Sequence, residues 1–282
     1  MNLFPFPGDS YETPEGAAGF ERFLPSFFFA LNVADIVRHD GHLARSGLYG
    51  GKEWVAGSTA TVRALERCGV RLRFCGMGHI DRVEGPCVFV GNHMSTLETF
   101  VLPSLINPRK TVTFVVKDSL LRYPWFGPVL QSRDPIVVRR KNPREDFATV
   151  LEEGIERLGK GISLIVFPQS TRTPVFDPAV FNSIAVKLAR RADVPLLPVA
   201  LRTDAWRNGK YIKDYGGLCT EIRVSIRFGE ALRVSGNGKR EQAQVCEFIS
   251  ARLADWGLPG KGGELSAPER DACGFEKTYG NQ

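Results

Sequence analysis

His93 and Glu98 are the residues of this 282-residue chain whose types and spacing point most directly to chemistry. An imidazole accepts a hydroxyl proton near neutral pH when a second group fixes its tautomer and steadies the imidazolium. A carboxylate placed shortly after the histidine is a candidate for that group. On one regular helix the two would stand about 140° apart and could not meet. They can meet if His93 lies in a turn and Glu98 in the first turn of the helix that follows. A second reading competes at the same residues. Ser95-Thr96-Leu97-Glu98 has the form of a capping box, in which Glu98 returns to the Ser95 backbone N–H. No H-x-x-x-H or H-E-x-x-H pattern surrounds His93, so no metal site is expected.

A second loop, Phe167-Pro168-Gln169-Ser170-Thr171-Arg172, combines hydroxyls with a guanidinium. Arginine offers a planar fork of donors suited to a phosphate, and Ser170 and Thr171 could add to it. The loop is no nucleotide P-loop, because Gly-x-x-x-x-Gly-Lys is absent. Ser170 lacks the Gly-x-Ser-x-Gly elbow of a covalent nucleophile. The plain alternative is a capped turn with a solvated arginine.

Both loops follow continuous apolar runs, Pro86 to Gly91 and Ile162 to Phe167, that read as strands buried on both faces. Further strands are expected at Val70 to Cys75, Thr111 to Val116, Ile136 to Val138, Leu196 to Leu201 and Glu221 to Phe228. Helical patterns lie between them at Thr96 to Leu105, Arg144 to Leu158, Asn182 to Arg191 and Glu241 to Trp256. This alternation predicts an α/β fold, a layered αβα domain with a largely parallel central sheet. Chemistry in such sheets sits beyond the carboxyl ends of the strands, where both loops fall.

Residues 1–70 read as a helical pair, Phe20 to His39 and Glu53 to Cys68, with Asp40-Gly41-His42 and Gly50-Gly51 as turn material. The stretch from Phe20 to Val37 is rich in phenylalanine, but Glu21, Arg22, Pro25, Asn32 and Asp35 interrupt it. It is suited to lying in a membrane interface rather than spanning it, with a buried helix as the alternative. Residues 71–256 then form the main domain, and 257–282 a polar tail.

A net charge of +6 fits an anionic partner such as a lipid headgroup. No interleaved basic and aromatic stripe favours nucleic acid, and none is expected as a partner. Six cysteines without a C-x-x-C pair argue against a disulfide framework and for a reducing, cytoplasmic setting.

Taken in order, the two loops resemble motifs of the PlsC-like lysophosphatidate (1-acylglycerol-3-phosphate) acyltransferases, in the glycerolipid acyltransferase superfamily. Asn92-His93-x-x-x-x-Glu98 is similar to Asn-His-x-x-x-x-Asp, and Phe167 to Arg172 is similar to Phe-Pro-Glu-Gly-Thr-Arg. Phe114-Val-Val-Lys117 and Val194-Pro-Leu-Leu-Pro-Val199 match two further elements, and Pro135 to Arg139 partly keeps another. The resemblance covers roughly residues 70 to 230.

What it implies is direct transfer of a fatty acyl group from acyl-CoA or acyl-carrier protein to a lysophospholipid hydroxyl. His93 would be the base and Glu98 its partner, with no acyl-enzyme. By carry-over, Lys117, Arg139 and Arg172, assisted by Ser170 and Thr171, would hold an acceptor phosphate. No cofactor beyond the acyl donor is implied, and residues 20–68 would dock on the cytoplasmic face of a membrane, monotopic or peripheral. Glu98 stands where Asp is commoner, Gln169-Ser170 where the family has Glu-Gly, and Val138 where it has Asp. The last two departures bear on acceptor identity. They leave open another lysolipid, a non-phosphate hydroxyl or amine, or a catalytically retired membrane-binding relative; a hydrolase using the same histidine on water is a further alternative.

Overall fold

The computed structural model describes residues 4–169, 171–209 and 215–258. The tail expected at 257–282 falls almost wholly outside them, as do Ser170 and Cys273. A short strand, β1 (Tyr11–Glu12), opens the chain, followed by a 3-10 turn, Phe20–Phe23, and the helices α1 (Pro25–Arg45) and α2 (Gly51–Arg67). Next come β2 (Leu72–Cys75), α3 (Gly78–Asp81), β3 (Val88–Gly91), α4 (Leu97–Ile106) and β4 (Val112–Lys117). A second 3-10 turn, Asp118–Arg122, leads to α5 (Phe126–Gln131), β5 (Ile136–Val138), α6 (Pro143–Gly159) and β6 (Ser163–Val166). The described chain ends with α7 (Ile184–Ala192), β7 (Leu196–Arg202), β8 (Val224–Phe228) and α8 (Lys239–Asp255).

The strands form one sheet in the order β1-β2-β8-β7-β3-β6-β4-β5. Pairing is parallel except for β1 on β2 and β7 on β8. Alternation along each strand divides the core between the two faces. Phe89, Ile165 and Leu197 join a cluster with α1, α2 and α4, while Val88, Val90, Leu164 and Val166 join one with α6, α7 and α8. The αβα layering follows from that alternation, since each face of a two-sided sheet must be covered.

Of the segment expected at 1–70, the described residues 4–70 are not a layer apart. Phe29, Val33, Val37, Trp54, Val62 and Leu65 are buried in the same cluster as the sheet residues Phe89 and Leu197. Phe6 is also buried, edge-on to Phe74 of β2, so the core reaches residues ahead of the first strand. Of the helical pair, only the amino-terminal part shows an apolar exterior. Phe20, Phe23, Leu24, Phe27 and Leu31 are 52 to 72 % exposed, the first three in and just after the 3-10 turn and the last two one helical turn apart on α1. Within 20–68 the exposed large apolar side chains are thus gathered at 20–31, with Leu48 apart from them between the helices, and α2 exposes only Lys52, Ala60 and Arg63. No helix among the described residues is long and apolar enough to cross a membrane.

The turn expected at Asp40-Gly41-His42 is instead the last part of α1. Gly41 serves a close approach: a Cβ there would lie 2.6 Å from the Trp125 carbonyl oxygen. Asp40 is buried beside it, accepting a 3.0 Å hydrogen bond from the Tyr49 hydroxyl. A cavity of about 30 Å³ at this seam is lined by Asp40, Tyr49, Trp54, Phe100 and Phe126 among others.

Burial pushes the Asp40 carboxyl up to about 6, against a smaller lowering by the Tyr49 hydrogen bond. A folded-state value above the unfolded one contributes stability that is complete below about pH 4 and lost as pH rises through about 6. The loss is on the order of 3 kcal/mol. Urea unfolding between pH 4 and 7.5 should show that slope in the wild type and its disappearance in Asp40→Asn. An identical slope in both proteins would contradict the assignment.

Candidate active site

β3 sits between β6 and β7, so the loop leaving it is flanked by the ends of both neighbours. Asn92 fixes the first flank. Its Nδ2 donates to the Leu201 carbonyl at 2.7 Å and its Oδ1 accepts from the Leu201 N–H at 2.9 Å. The side chain thus continues the β3–β7 ladder by one rung after the strand has ended, and His93 leaves the sheet at a fixed point.

The second flank is the loop after β6. The Gln169 side-chain Oε1 accepts from the His93 backbone N–H at 2.7 Å, and the Thr173 N–H donates to the His93 carbonyl at 3.0 Å. Both polar groups of the His93 residue are held by one loop. Its ring lies flat against Phe167, with centroids 4.5 Å apart and planes within 5°, and Phe167 stacks in turn on Phe114 of β4. The backbone grips and the stacked ring leave the imidazole 15 % exposed, with one edge turned to Glu98.

His93 Nδ1 is 2.9 Å from Glu98 Oε2. Glu98 has no exposed surface, and its other oxygen, Oε1, accepts from the Met94 N–H at 2.8 Å, the Ser95 N–H at 3.0 Å and the Thr203 hydroxyl. The two readings of the sequence are therefore both realised, one on each oxygen. Oε1 caps the start of α4, while Oε2 meets the histidine. Ser95 completes the cap, with its Oγ accepting from the Leu97 N–H at 3.1 Å and donating to the Thr203 carbonyl at 2.9 Å.

A carboxylate can only accept, so the shared proton belongs to Nδ1 and the lone pair to Nε2. That lone pair can accept a second proton, as a general base does from a hydroxyl. The site contains a histidine, a buried carboxylate on its Nδ1 and a set of donors that hold the carboxylate.

Arg172 donates to the Thr96 hydroxyl at the start of α4, which places its guanidinium beside the histidine loop. Thr171 is exposed in the same loop. Lys117 and Arg139 lie farther out. Lys117 ends β4 opposite Val138 of β5, and both it and Arg139 are exposed. With neighbouring strands about 4.8 Å apart, β4 and β5 stand about 10 and 14 Å from β3 across the sheet. The basic residues thus form a ledge along the strand ends rather than one cluster on the dyad.

Sequence reasoning missed Thr203 entirely, and nothing local marks a threonine two positions beyond an apolar run as a carboxylate's partner. It also placed Gln169 against the acceptor. Its Oε1 instead holds the His93 backbone, so the exchange of a carboxylate for an amide falls on a group whose acceptor oxygen is already engaged.

Thr203→Val should lower kcat/KM roughly 10- to 100-fold, the range for removing a hydrogen bond to a buried charge. Gln169→Glu keeps the acceptor oxygen and should retain activity, whereas Gln169→Leu should lose it. Steady-state kinetics on these three folded variants checks the network; full activity in Thr203→Val and Gln169→Leu would contradict it.

Residues 71–202 match the sequence model of the family described as Acyltransferase. The chain is 32 % identical over 187 residues to a 1-acyl-sn-glycerol-3-phosphate acyltransferase of Pseudomonas aeruginosa, covering 66 % of this chain and 69 % of that protein. It is 26 % identical over 224 residues to one of Cocos nucifera, covering 78 % of this chain and 65 % of that one. In structure it is similar to the crystal structure of the 1-acyl-sn-glycerophosphate acyltransferase PlsC from Thermotoga maritima. The TM-score is 0.62 at 19 % identity, over 85 % of this chain and 98 % of that one. The chain belongs to the acyltransferase family that includes these 1-acyl-sn-glycerol-3-phosphate acyltransferases.

Proposed function

We propose that this acyltransferase moves a fatty acyl group from a thioester donor to the free hydroxyl of 1-acylglycerol-3-phosphate, giving phosphatidic acid. The observation that carries the chemistry is the 2.9 Å contact of Glu98 with His93 Nδ1, which leaves Nε2 as the basic nitrogen. The relatives' names supply the acceptor.

The acceptor hydroxyl gives its proton to His93 Nε2 as its oxygen attacks the thioester carbonyl carbon. The new C–O bond forms, the C–S bond breaks, and the leaving sulfur takes the proton back from Nε2. Glu98 steadies the imidazolium between these events, at a distance and burial where its charge counts for most. No side chain is acylated, so Ser170 needs no nucleophilic role. Arg172, held next to the histidine loop by Thr96, is placed to receive the acceptor phosphate, with Lys117 farther along the ledge.

Purified protein incubated with mixed lysolipids and acyl-CoA, then read by lipid mass spectrometry, should convert lysophosphatidate to phosphatidic acid. His93→Ala should reduce the product about 10³-fold in a protein that remains folded. Near-normal transfer by folded His93→Ala would contradict the reading, and efficient use of acceptors lacking a phosphate would redirect it to another acceptor.

We also propose that the enzyme works on a membrane surface, as a peripheral or monotopic protein, through Phe20, Phe23, Leu24, Phe27 and Leu31. An apolar face this exposed suits the boundary between headgroups and acyl chains. The cytoplasmic side is favoured by the described cysteines, all five of which are free thiols. Removing the whole segment would take Phe29 and Val33 out of the core, so the surface itself must be changed. Phe20→Ser, Phe23→Ser and Phe27→Ser together should weaken binding to phospholipid vesicles at least about tenfold without changing thermal stability. Unchanged co-sedimentation would contradict the docking face.

A further inference from the structure

Two peptide units of the histidine loop serve as donors to Glu98. The His93–Met94 unit presents the Met94 N–H to Oε1 at 2.8 Å, and the Met94–Ser95 unit presents the Ser95 N–H at 3.0 Å. A peptide unit is planar, so holding its carbonyl fixes the direction of the N–H on its far side. The carbonyl of the first unit belongs to His93 and is held by the Thr173 N–H at 3.0 Å, from the loop after β6. The carbonyl of the second belongs to Met94, and the Asn208 Nδ2 donates to it at 3.3 Å, from the segment after β7. Each backbone donor to the buried carboxylate is thus gripped from behind by a different neighbouring loop.

Asn208 extends a short ribbon that follows β7. Trp206 bridges Leu218 in antiparallel register, with the Arg207 N–H on the Gly217 carbonyl at 3.0 Å and the Cys219 N–H on the Ala205 carbonyl at 2.8 Å. This ribbon is seated on α1. The Leu218 N–H donates to the Ser26 hydroxyl at 2.9 Å, and the buried Trp206 ring meets Phe29 edge-on at 5.1 Å. Trp206 also meets Phe100 at 5.6 Å, two residues after Glu98 in the first turn of α4. Asn208 itself is exposed, so core packing does not account for its side chain.

We infer that Asn208 is a positioning residue for the proposed base, acting on Glu98 through the Met94–Ser95 peptide, and that Ser26 of α1 acts on Asn208 through the ribbon. The inference rests on the acyl-transfer reading above and adds two residues to its machinery. The helix that bears the exposed Phe27 and Leu31 thereby also supports the dyad, through Ser26 and Phe29. Without Asn208 the Ser95 N–H loses its fixed direction, and one donor to Oε1 weakens. Glu98 then holds the imidazolium less well while substrate contacts stay as they were, so the loss falls on kcat rather than KM.

The test compares wild type with Asn208→Ala, Asn208→Gln, Ser26→Ala and the double variant Asn208→Ala/Ser26→Ala. Transfer is measured without vesicles, on a water-soluble short-chain lysophosphatidate with acyl-CoA, so that membrane binding plays no part. Asn208→Ala should lower kcat about 3- to 10-fold, the range for one neutral hydrogen bond, with KM for either substrate within about twofold of wild type. Asn208→Gln keeps an amide donor and should recover most of that loss. Ser26→Ala should lower kcat less, and the double variant should be no slower than Asn208→Ala, because both changes act on one peptide. Nitrogen NMR should show the His93 Nδ1 resonance displaced in Asn208→Ala and restored in Asn208→Gln. Thermal midpoint and vesicle binding should stay near those of wild type throughout. Wild-type kcat in Asn208→Ala, or equal losses in Asn208→Ala and Asn208→Gln, overturns the inference while leaving acyl transfer standing. Losses that multiply in the double variant overturn the role of Ser26. Absence of transfer by wild type would remove both readings.

Discussion

The structure depends on the complete burial of one carboxylate. Glu98 has no contact with solvent, and an ion in that position is tolerated only when every acceptor site finds a donor. The donors come from three places: the loop after β3, the end of β7 and the imidazole itself. For them to meet, β3 must lie beside β7, and the loop must leave the sheet where Asn92 ties it to Leu201. Sheet order, strand register and helix capping are thus conditions for one interaction. That interaction in turn decides which nitrogen of His93 is basic.

The histidine is constrained from the other side by the neighbouring strand. The loop after β6 grips its backbone at both N–H and C=O and supplies the ring against which it stacks. A side chain with two soft torsions is thereby left with little freedom, and the proposed base is oriented without help from a substrate. α1 serves a comparable double purpose on a larger scale. Phe29 and Val33 secure it to the sheet, while Phe27 and Leu31 face outward. The helix can carry an exposed apolar surface because its other face is firmly seated.

Much of this was legible in the residues. The strands from Val88 to Leu201 appear as apolar runs because they are buried on both sides, and that burial leaves little else they could be. The roles of Glu98 were both visible, as cap and as partner, and only the division between its two oxygens needed coordinates. Gly41 misled, because a glycine that admits a neighbouring backbone looks the same in sequence as one that turns the chain. β1 was invisible at two residues, and its pairing depends on Phe6, Tyr11 and Phe74 meeting across a long separation. Thr203 and Gln169 were missed or misplaced for the same reason. Each acts on a residue more than 70 positions away, through a contact that no local pattern encodes.

The central claim is that Glu98 holds His93 with its proton on Nδ1 and its lone pair on Nε2. Nitrogen NMR of protein labelled at the histidine ring nitrogens tests it directly, with His93 assigned by its loss in His93→Ala. At a pH where the ring is neutral, Nδ1 should show the shift of a protonated, pyrrole-type nitrogen and Nε2 that of an unprotonated, pyridine-type one. Glu98→Gln should abolish or mix that pattern. A wild-type ring with its proton on Nε2 would contradict the account, because the nitrogen meant to accept the hydroxyl proton would already carry one.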